Sequence, residues 1–264
     1  MGRGLRRACS HLFGALADLH LPRPLRAPVY RAWARAFDVD LSEPRLALAD
    51  HPSLGAFFVR RLKPGLRPLP EDERLLPSPC DGRLQACDAV ERGSILQAKG
   101  RPYTVAELLG PLAEGVDLEG GRAWTIYLSP RDYHRVHAPI AARLGAVAWL
   151  PGDLYSVAPK VLARRPKVLS INERAVLRLD GARGPLFLVM VGALNVGRIR
   201  VVGLEPGHDV RPDRPLDFER GGELARFEMG STVVLVAPPQ SYDALDELQL
   251  GMPLRLGQPI GRAT

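Results

Sequence analysis

The chain is poor in the residues that would make several functions easy to read. It holds three cysteines in 264 residues, Cys9, Cys80 and Cys87. The count is odd and no CxxC spacing occurs, so a disulfide framework is excluded and reduced thiols are expected. No apolar run approaches the ~20 residues of a membrane-spanning helix. The apolar piece nearest the start, residues 12–17, stops at Asp18 with no small-residue cleavage pattern behind it, so no signal peptide is expected. Acidic residues are scarce at one end. The first 36 residues carry seven arginines and one acid, Asp18, a local charge of +6 that leaves +1 for the other 228. HExxH and GxSxG are missing, as are the readout elements of a nucleic-acid binder and any internal repeat.

What is present is an ordinary soluble composition, 46% apolar and 25% charged, cut up by 25 prolines and 26 glycines. That punctuation favours strands and turns over long helices. The basic N-terminal segment is the exception. Leu5, Cys9, Leu12, Phe13, Leu16 and Leu19 recur at helical spacing, with arginines elsewhere on the wheel. Such a helix either packs on the body or lies in a lipid interface with its arginines at the headgroups. Pro22, Pro24 and Pro28 then break the chain. A second helix carries Val29, Tyr30, Trp33 and Phe37, and Ser53 caps a short third one with Leu54, Phe57 and Phe58.

From about residue 75 the texture turns to short β-rich pieces. Strands are expected over 82–90, 94–98, 123–128, 141–150, 174–179, 186–191, 198–202, 223–227 and 232–236, with a helix over 104–109 capped by Thr104. The fold class is therefore α+β: N-terminal amphipathic helices over 1–65, then a mostly antiparallel β-rich catalytic domain over 66–264.

Three places can carry chemistry. His134 and His137 lie in Tyr133-His134-Arg135-Val136-His137-Ala138-Pro139. No third and fourth ligand stand at a convincing spacing, so a metal is not expected. In an extended segment these two positions face opposite sides, which suggests two different jobs. Asp81, before Gly82, is either a turn residue or a group that orients a histidine. Ser231 follows Gly230 at the mouth of an apolar run, where its hydroxyl can attack the carbonyl just before it with no side chain in the way. A nucleophile, a base and an orienter can thus be drawn from Ser231, His137 and Asp81.

At these residues the chain resembles the bacterial, pyruvoyl-dependent phosphatidylserine decarboxylase proenzymes. The likeness runs through Phe57-Phe58-Val59-Arg60-Arg61-Leu62-Lys63-Pro64, Ser78-Pro79-Cys80-Asp81-Gly82, Arg131-Asp132-Tyr133-His134-Arg135-Val136-His137 and Phe227-Glu228-Met229-Gly230-Ser231-Thr232. Met229 stands where the family usually has Leu. The resemblance implies a self-cleaving triad of Asp81, His137 and Ser231, and a cut between Gly230 and Ser231. It implies a β chain of residues 1–230 paired with an α chain of 231–264, a heterodimer able to dimerise further. Ser231 would become a covalent pyruvoyl cofactor and form a Schiff base with phosphatidylserine. His134 would move the proton in decarboxylation, with a pKa expected in the neutral range. The expected partners are that lipid and an anionic membrane surface, not nucleic acid. The expected location is peripheral, on the cytoplasmic face of a bacterial cell membrane.

Overall fold

A computed structural model describes residues 2–97, 101–193, 198–211, 213–228 and 231–264. Its helices are α1 (Arg3–Ala17), α2 (Arg23–Phe37), α3 (Leu54–Phe58), α4 (Val105–Leu109), α5 (Pro159–Leu162) and α6 (Val168–Ile171). The strands begin with β1 (Leu75–Pro77), β2 (Gly82–Ala89), β3 (Ser94–Leu96), β4 (Pro102–Thr104), β5 (Arg122–Leu128) and β6 (Arg135–His137). They continue with β7 (Ala142–Leu150), β8 (Arg174–Gly181), β9 (Gly184–Val191), β10 (Ile199–Val201), β11 (Leu216–Phe218) and β12 (Glu223–Phe227). The last are β13 (Ser231–Ala237), β14 (Tyr242–Ala244), β15 (Pro253–Leu254) and β16 (Pro259–Ala263). The α+β class follows: short helices lead, and the strands pair antiparallel in every named ladder.

The main sheet has eight strands in the order β11-β7-β8-β9-β13-β5-β2-β15. β13 lies inside it, between β9 and β5, and all seven of its residues are buried. Its side chains alternate between two cores. Val233 and Leu235 join Trp124, Ile126, Leu188 and Phe227 on one face; Val234 and Val236 join Phe187, Val189, Tyr103 and Leu108 on the other. A strand covered on both faces has no polar side, so it reads as a continuous apolar run. β2 approaches β5 so closely that a Cβ at Gly82 would lie 2.6 Å from the Tyr127 carbonyl oxygen, which explains the glycine after Asp81.

α3 is one joint between the N-terminal helices and this body. Ser53 caps α3, its Oγ accepting from the Ala56 N–H at 3.1 Å. Phe57 faces a small cluster with Tyr30, Ala34 and Val39 and stacks on Tyr30 at a centroid distance of 5.6 Å. Phe58 faces the sheet, in the same cluster as Ala17 of α1. α4 opens with a complete capping box, Thr104 to Glu107.

The sequence expectation that three prolines break the chain is corrected. Only Pro22 precedes a helix start; α2 begins at Arg23 and runs through Pro24 and Pro28. Pro24 sits in the first turn, where the missing N–H has no helical partner. Pro28 forfeits one hydrogen bond close to the helix start. On the expected face of α1, the side chains of Leu5 and Cys9 lie outside the described residues, while Leu12, Phe13 and Leu16 are exposed. No described helix is long and apolar enough to cross a membrane.

Candidate active site

The first residue of β13 is Ser231, paired across the ladder with Leu128, the last residue of β5. The loop after Leu128 runs directly to the two histidines, so ladder register brings serine and histidine segments to one end of the sheet. Ser231 is fully buried, and among the described residues its Oγ has no hydrogen-bond partner. The next hydroxyl, on Thr232, is likewise buried and unpaired. Gly230 and Met229, expected on the other side of the cut, lie outside the described residues.

The loop is tied in a tight turn. The Asp132 carboxylate accepts from the Ser129 backbone N–H and hydroxyl, both at 2.7 Å. His134 follows, with 0% of its surface exposed. Its Nδ1 lies 2.8 Å from the Asp132 carbonyl oxygen. A carbonyl only accepts, so Nδ1 carries the proton and Nε2 holds the lone pair. That Nε2 is buried and unpartnered. Phe58 lies against the ring at a centroid distance of 4.0 Å. The His134 carbonyl accepts from the Phe227 N–H at 3.0 Å, which fastens the loop to the strand leading toward Ser231. Burial drives the His134 pKa down from 6.5 to about 3, opposed by the Asp132 hydrogen bond and assisted by the Arg60 charge. The neutral-range value expected for this residue is therefore corrected: the ring is neutral at pH 7 because a charge in this enclosure would be unsolvated.

His137 ends β6 and faces elsewhere, into a cleft of about 540 Å³ that also takes in Lys63, Arg67, Tyr133, Arg220 and Glu223. Its Nδ1 donates to the Gly221 carbonyl at 2.7 Å and its Nε2 accepts from the Tyr133 hydroxyl at 3.1 Å. Burial lowers its pKa as well. Two residues of one segment thus occupy two environments, as the alternation of an extended chain requires.

Asp81 is buried behind Arg67. The guanidinium reaches the carboxylate from Nε at 2.9 Å and Nη2 at 2.6 Å, and the Leu256 N–H adds a third bond at 2.8 Å. Arg67 also grips Glu43 at 3.0 and 2.9 Å, making a buried acid–base–acid trio. With both ring nitrogens of His137 engaged and Asp81 held by Arg67, no hydrogen bond links Asp81 to His137. The Asp81 charge still reaches the imidazole as a minor influence raising its pKa. Nor do the described contacts join Ser231 to either histidine.

Sequence reasoning missed the residues that hold this arrangement: Phe58, Arg60, Arg67 and Asp132. No local signal separates buried Arg60 from its exposed neighbour Arg61. Among the described residues no cluster of three or more metal-ligating side chains occurs.

An α+β body that buries an unpaired serine hydroxyl at the start of its central strand, and a neutral histidine with a bare Nε2 in the neighbouring loop, has the architecture of an enzyme. The particular family comes from comparison with known proteins. The phosphatidylserine decarboxylase family model matches residues 54–262, and the chain belongs to that family of decarboxylases. A protein of Myxococcus xanthus named phosphatidylserine decarboxylase proenzyme is 40% identical, over 98% of this chain and 95% of its own length. An Anaeromyxobacter protein of the same name is 38% identical over the same shares. One from Xylella fastidiosa is 42% identical over 85% of this chain and 80% of its own.

Proposed function

We propose that this chain decarboxylates phosphatidylserine at a membrane surface, after cutting itself between Gly230 and Ser231 and converting Ser231 to a pyruvoyl group. One observation carries the reading: the Ser231 hydroxyl is fully buried and unpaired at the mouth of the central strand. Such a group costs about 1–3 kcal/mol. Thr232 carries the same cost beside it; at Ser231 the cost falls on the hydroxyl next to the Gly230–Ser231 bond, where it has chemistry to perform. The site suits the cofactor because its precursor hydroxyl is dry and uncommitted.

In the cut, the Ser231 Oγ attacks the Gly230 carbonyl carbon as its proton passes to His137. The peptide link becomes an ester. Loss of the residue-231 α-proton then expels the Gly230 carboxylate, and water converts the remaining dehydroalanine to pyruvoyl with release of ammonia. Asp81 stabilises His137 while it is charged. In the resting chain Tyr133 covers the His137 Nε2 and Arg67 covers Asp81, so this reading requires both contacts to exchange. After the cut, β13 stays hydrogen-bonded to β5 and β9 along its length, which keeps the fragment 231–264 on the fragment 1–230.

Once formed, the pyruvoyl group supplies an electron sink for the pair left when the headgroup carboxylate departs. His134 enters as a neutral acceptor. It returns to the substrate Cα only a proton that it has first taken up on Nε2. The lipid arrives over α1, whose exposed Leu12, Phe13 and Leu16 suit the acyl boundary of a bilayer. The basic N-terminal segment favours an anionic leaflet, the cytoplasmic face of a bacterial membrane.

The test is denaturing electrophoresis and intact mass of purified protein. Wild type separates into a large fragment and one of about 4 kDa whose N-terminus is a ketone trappable by borohydride. Ser231→Ala stays whole and releases no CO2 from phosphatidylserine vesicles. Activity in an uncut Ser231→Ala chain excludes the proposal.

A further inference from the structure

We propose that Arg60 is a positioning residue for His134: its guanidinium holds the 131–132 peptides on which the imidazole is anchored, and so fixes which ring nitrogen is bare. The inference rests on the reading above only for its activity arm.

Arg60 follows α3 and is 3% exposed. A buried cation normally meets a carboxylate. This one meets carbonyls instead: Arg131 O at 2.8 Å, with longer contacts of 3.5 Å to Asp132 O and Phe58 O. Its Nε has no partner, and it lies over the Phe57 ring at 5.4 Å from the centroid. Five planar N–H donors on one rigid fork can bridge separate carbonyls, which a lysine cannot do.

The carbonyls it selects are informative. Asp132 O is the same atom that accepts the His134 Nδ1–H. Phe58, whose carbonyl is the third contact, is the residue whose ring lies on the imidazole. Arg60 therefore stands behind both surfaces that confine His134, the carbonyl that sets the tautomer and the aromatic ring that sets the plane. Second-layer groups of this kind orient reactive imidazoles elsewhere. Around the ring, Phe58 from α3 is apolar, and the Asp132 carboxylate is turned to Ser129. Arg60 is the charged side chain whose field reaches the imidazole, and it opposes a second positive charge there.

The experiment follows the His134 ring by long-range proton–nitrogen NMR in the full chain, for wild type, Arg60→Met and Arg60→Lys. Thermal melts and steady-state decarboxylation of vesicle-borne phosphatidylserine are run alongside. Wild type shows the Nδ1–H form alone, unchanged down to pH 5. Arg60→Met, which keeps bulk and loses the fork, shows both tautomers and titrates closer to pH 6.5. Its kcat falls at least tenfold while KM stays within twofold. Arg60→Lys keeps the charge and loses the bridge; its ring stays neutral to pH 5 but loses tautomer purity, with kcat between the other two.

A folded Arg60→Met with an unchanged tautomer and titration overturns the proposal. So does Arg60→Lys with a pure Nδ1–H ring and wild-type kcat, which decides the matter if Arg60→Met does not fold. A changed tautomer with unchanged kcat upholds Arg60 as the positioning residue and removes His134 from the reaction, a failure of the functional reading alone.

Discussion

β13 and α1 both carry apolar side chains, and they use them in opposite ways. β13 buries all seven of its residues between two cores, from Ser231 to Ala237. α1 seats Ala17 against the body and leaves Leu12, Phe13 and Leu16 in water, with Leu12 63% and Leu16 55% exposed. α1 is nevertheless held: the Arg198 guanidinium pairs with Asp18 and donates to the Gly14 carbonyl at 3.4 Å. The same Arg198 reaches the Glu228 carboxylate at 3.2 Å, two residues before Gly230. Apolarity says that a segment avoids water; only the packed structure says whether the protein itself provides the shelter. For β13 it does. For α1 the outer face is left for something else.

The largest expected effect breaks the first half of this contrast. Val234→Asp places a carboxylate inside the sheet with no partner, which costs more than about 4 kcal/mol and leaves no folded protein by circular dichroism. The same chemical change at Leu16 stays within about 0.5 kcal/mol, as at other exposed positions, and leaves the melting curve in place. A Leu16→Asp protein that melts as badly as Val234→Asp removes the distinction between the two segments.

The next effect tests what shelters α1. Each leucine side chain moved from water to hydrocarbon contributes about 1.5–3 kcal/mol. Replacing Leu12 and Leu16 together by Asp therefore weakens partition to anionic vesicles by about 100-fold or more, at 1.4 kcal/mol per factor of ten. Flotation measures it. Decarboxylation of detergent-dispersed substrate stays at the wild-type rate, because neither side chain touches the site. Unchanged flotation means that the exposed face has another purpose.

A smaller effect probes how dry the body is at its reactive end. The His134 pKa is lowered to about 3 from 6.5. As pH falls through 6.5 the unfolded chain takes up a proton there that the folded chain refuses until about pH 3. The unfolded state binds more protons over that window, so stability falls with pH. Burial also lowers the pKa of His51 and His137, which adds to the slope. His134→Gln removes one contribution. Urea melts between pH 7 and 4.5 are expected to show a dependence shallower by about one proton than wild type. An unchanged slope means that water reaches the ring.

These contrasts mark what was legible. β13 was readable because burial on both faces writes an unbroken apolar run, and α4 because its capping box is local. The short strands β1, β4, β6, β11 and β14 to β16 were not expected from sequence. Several are three residues or fewer, and proline opens β4, β15 and β16, so pairing with a distant partner defines them. Ser231, His134, His137 and Asp81 could be picked out as reactive types, and their partners could not. Asp81 meets Arg67, 14 residues before it, and Leu256, 175 residues after it, and His137 meets Gly221. The depressed pKa of His134 depends on enclosure by Phe58 and on Arg60, 76 and 74 residues away. Charge and burial at a site are properties of the packing, which a linear motif does not carry.

The smallest effect falls where the two regions meet. α3 has five residues, too few to hold helical shape alone. Its Ser53 cap is the local contribution, and Ser53→Ala is expected to cost about 1 kcal/mol. Phe57 and Phe58 remain packed in their separate clusters, so the fold survives. Yet Phe58 lies on the His134 ring, and a frayed first turn loosens that contact. The variant should therefore lose more activity than stability: a shift of a few degrees or less in melting temperature, with kcat reduced severalfold at unchanged vesicle binding. Equal loss at Thr104→Ala, which removes the capping box of a helix that bears on the sheet and not on the histidine, would mean that caps act only through global stability. A difference between these two variants assigns α3 a second duty, as the joint that presses one region's aromatic ring onto the other's reactive side chain.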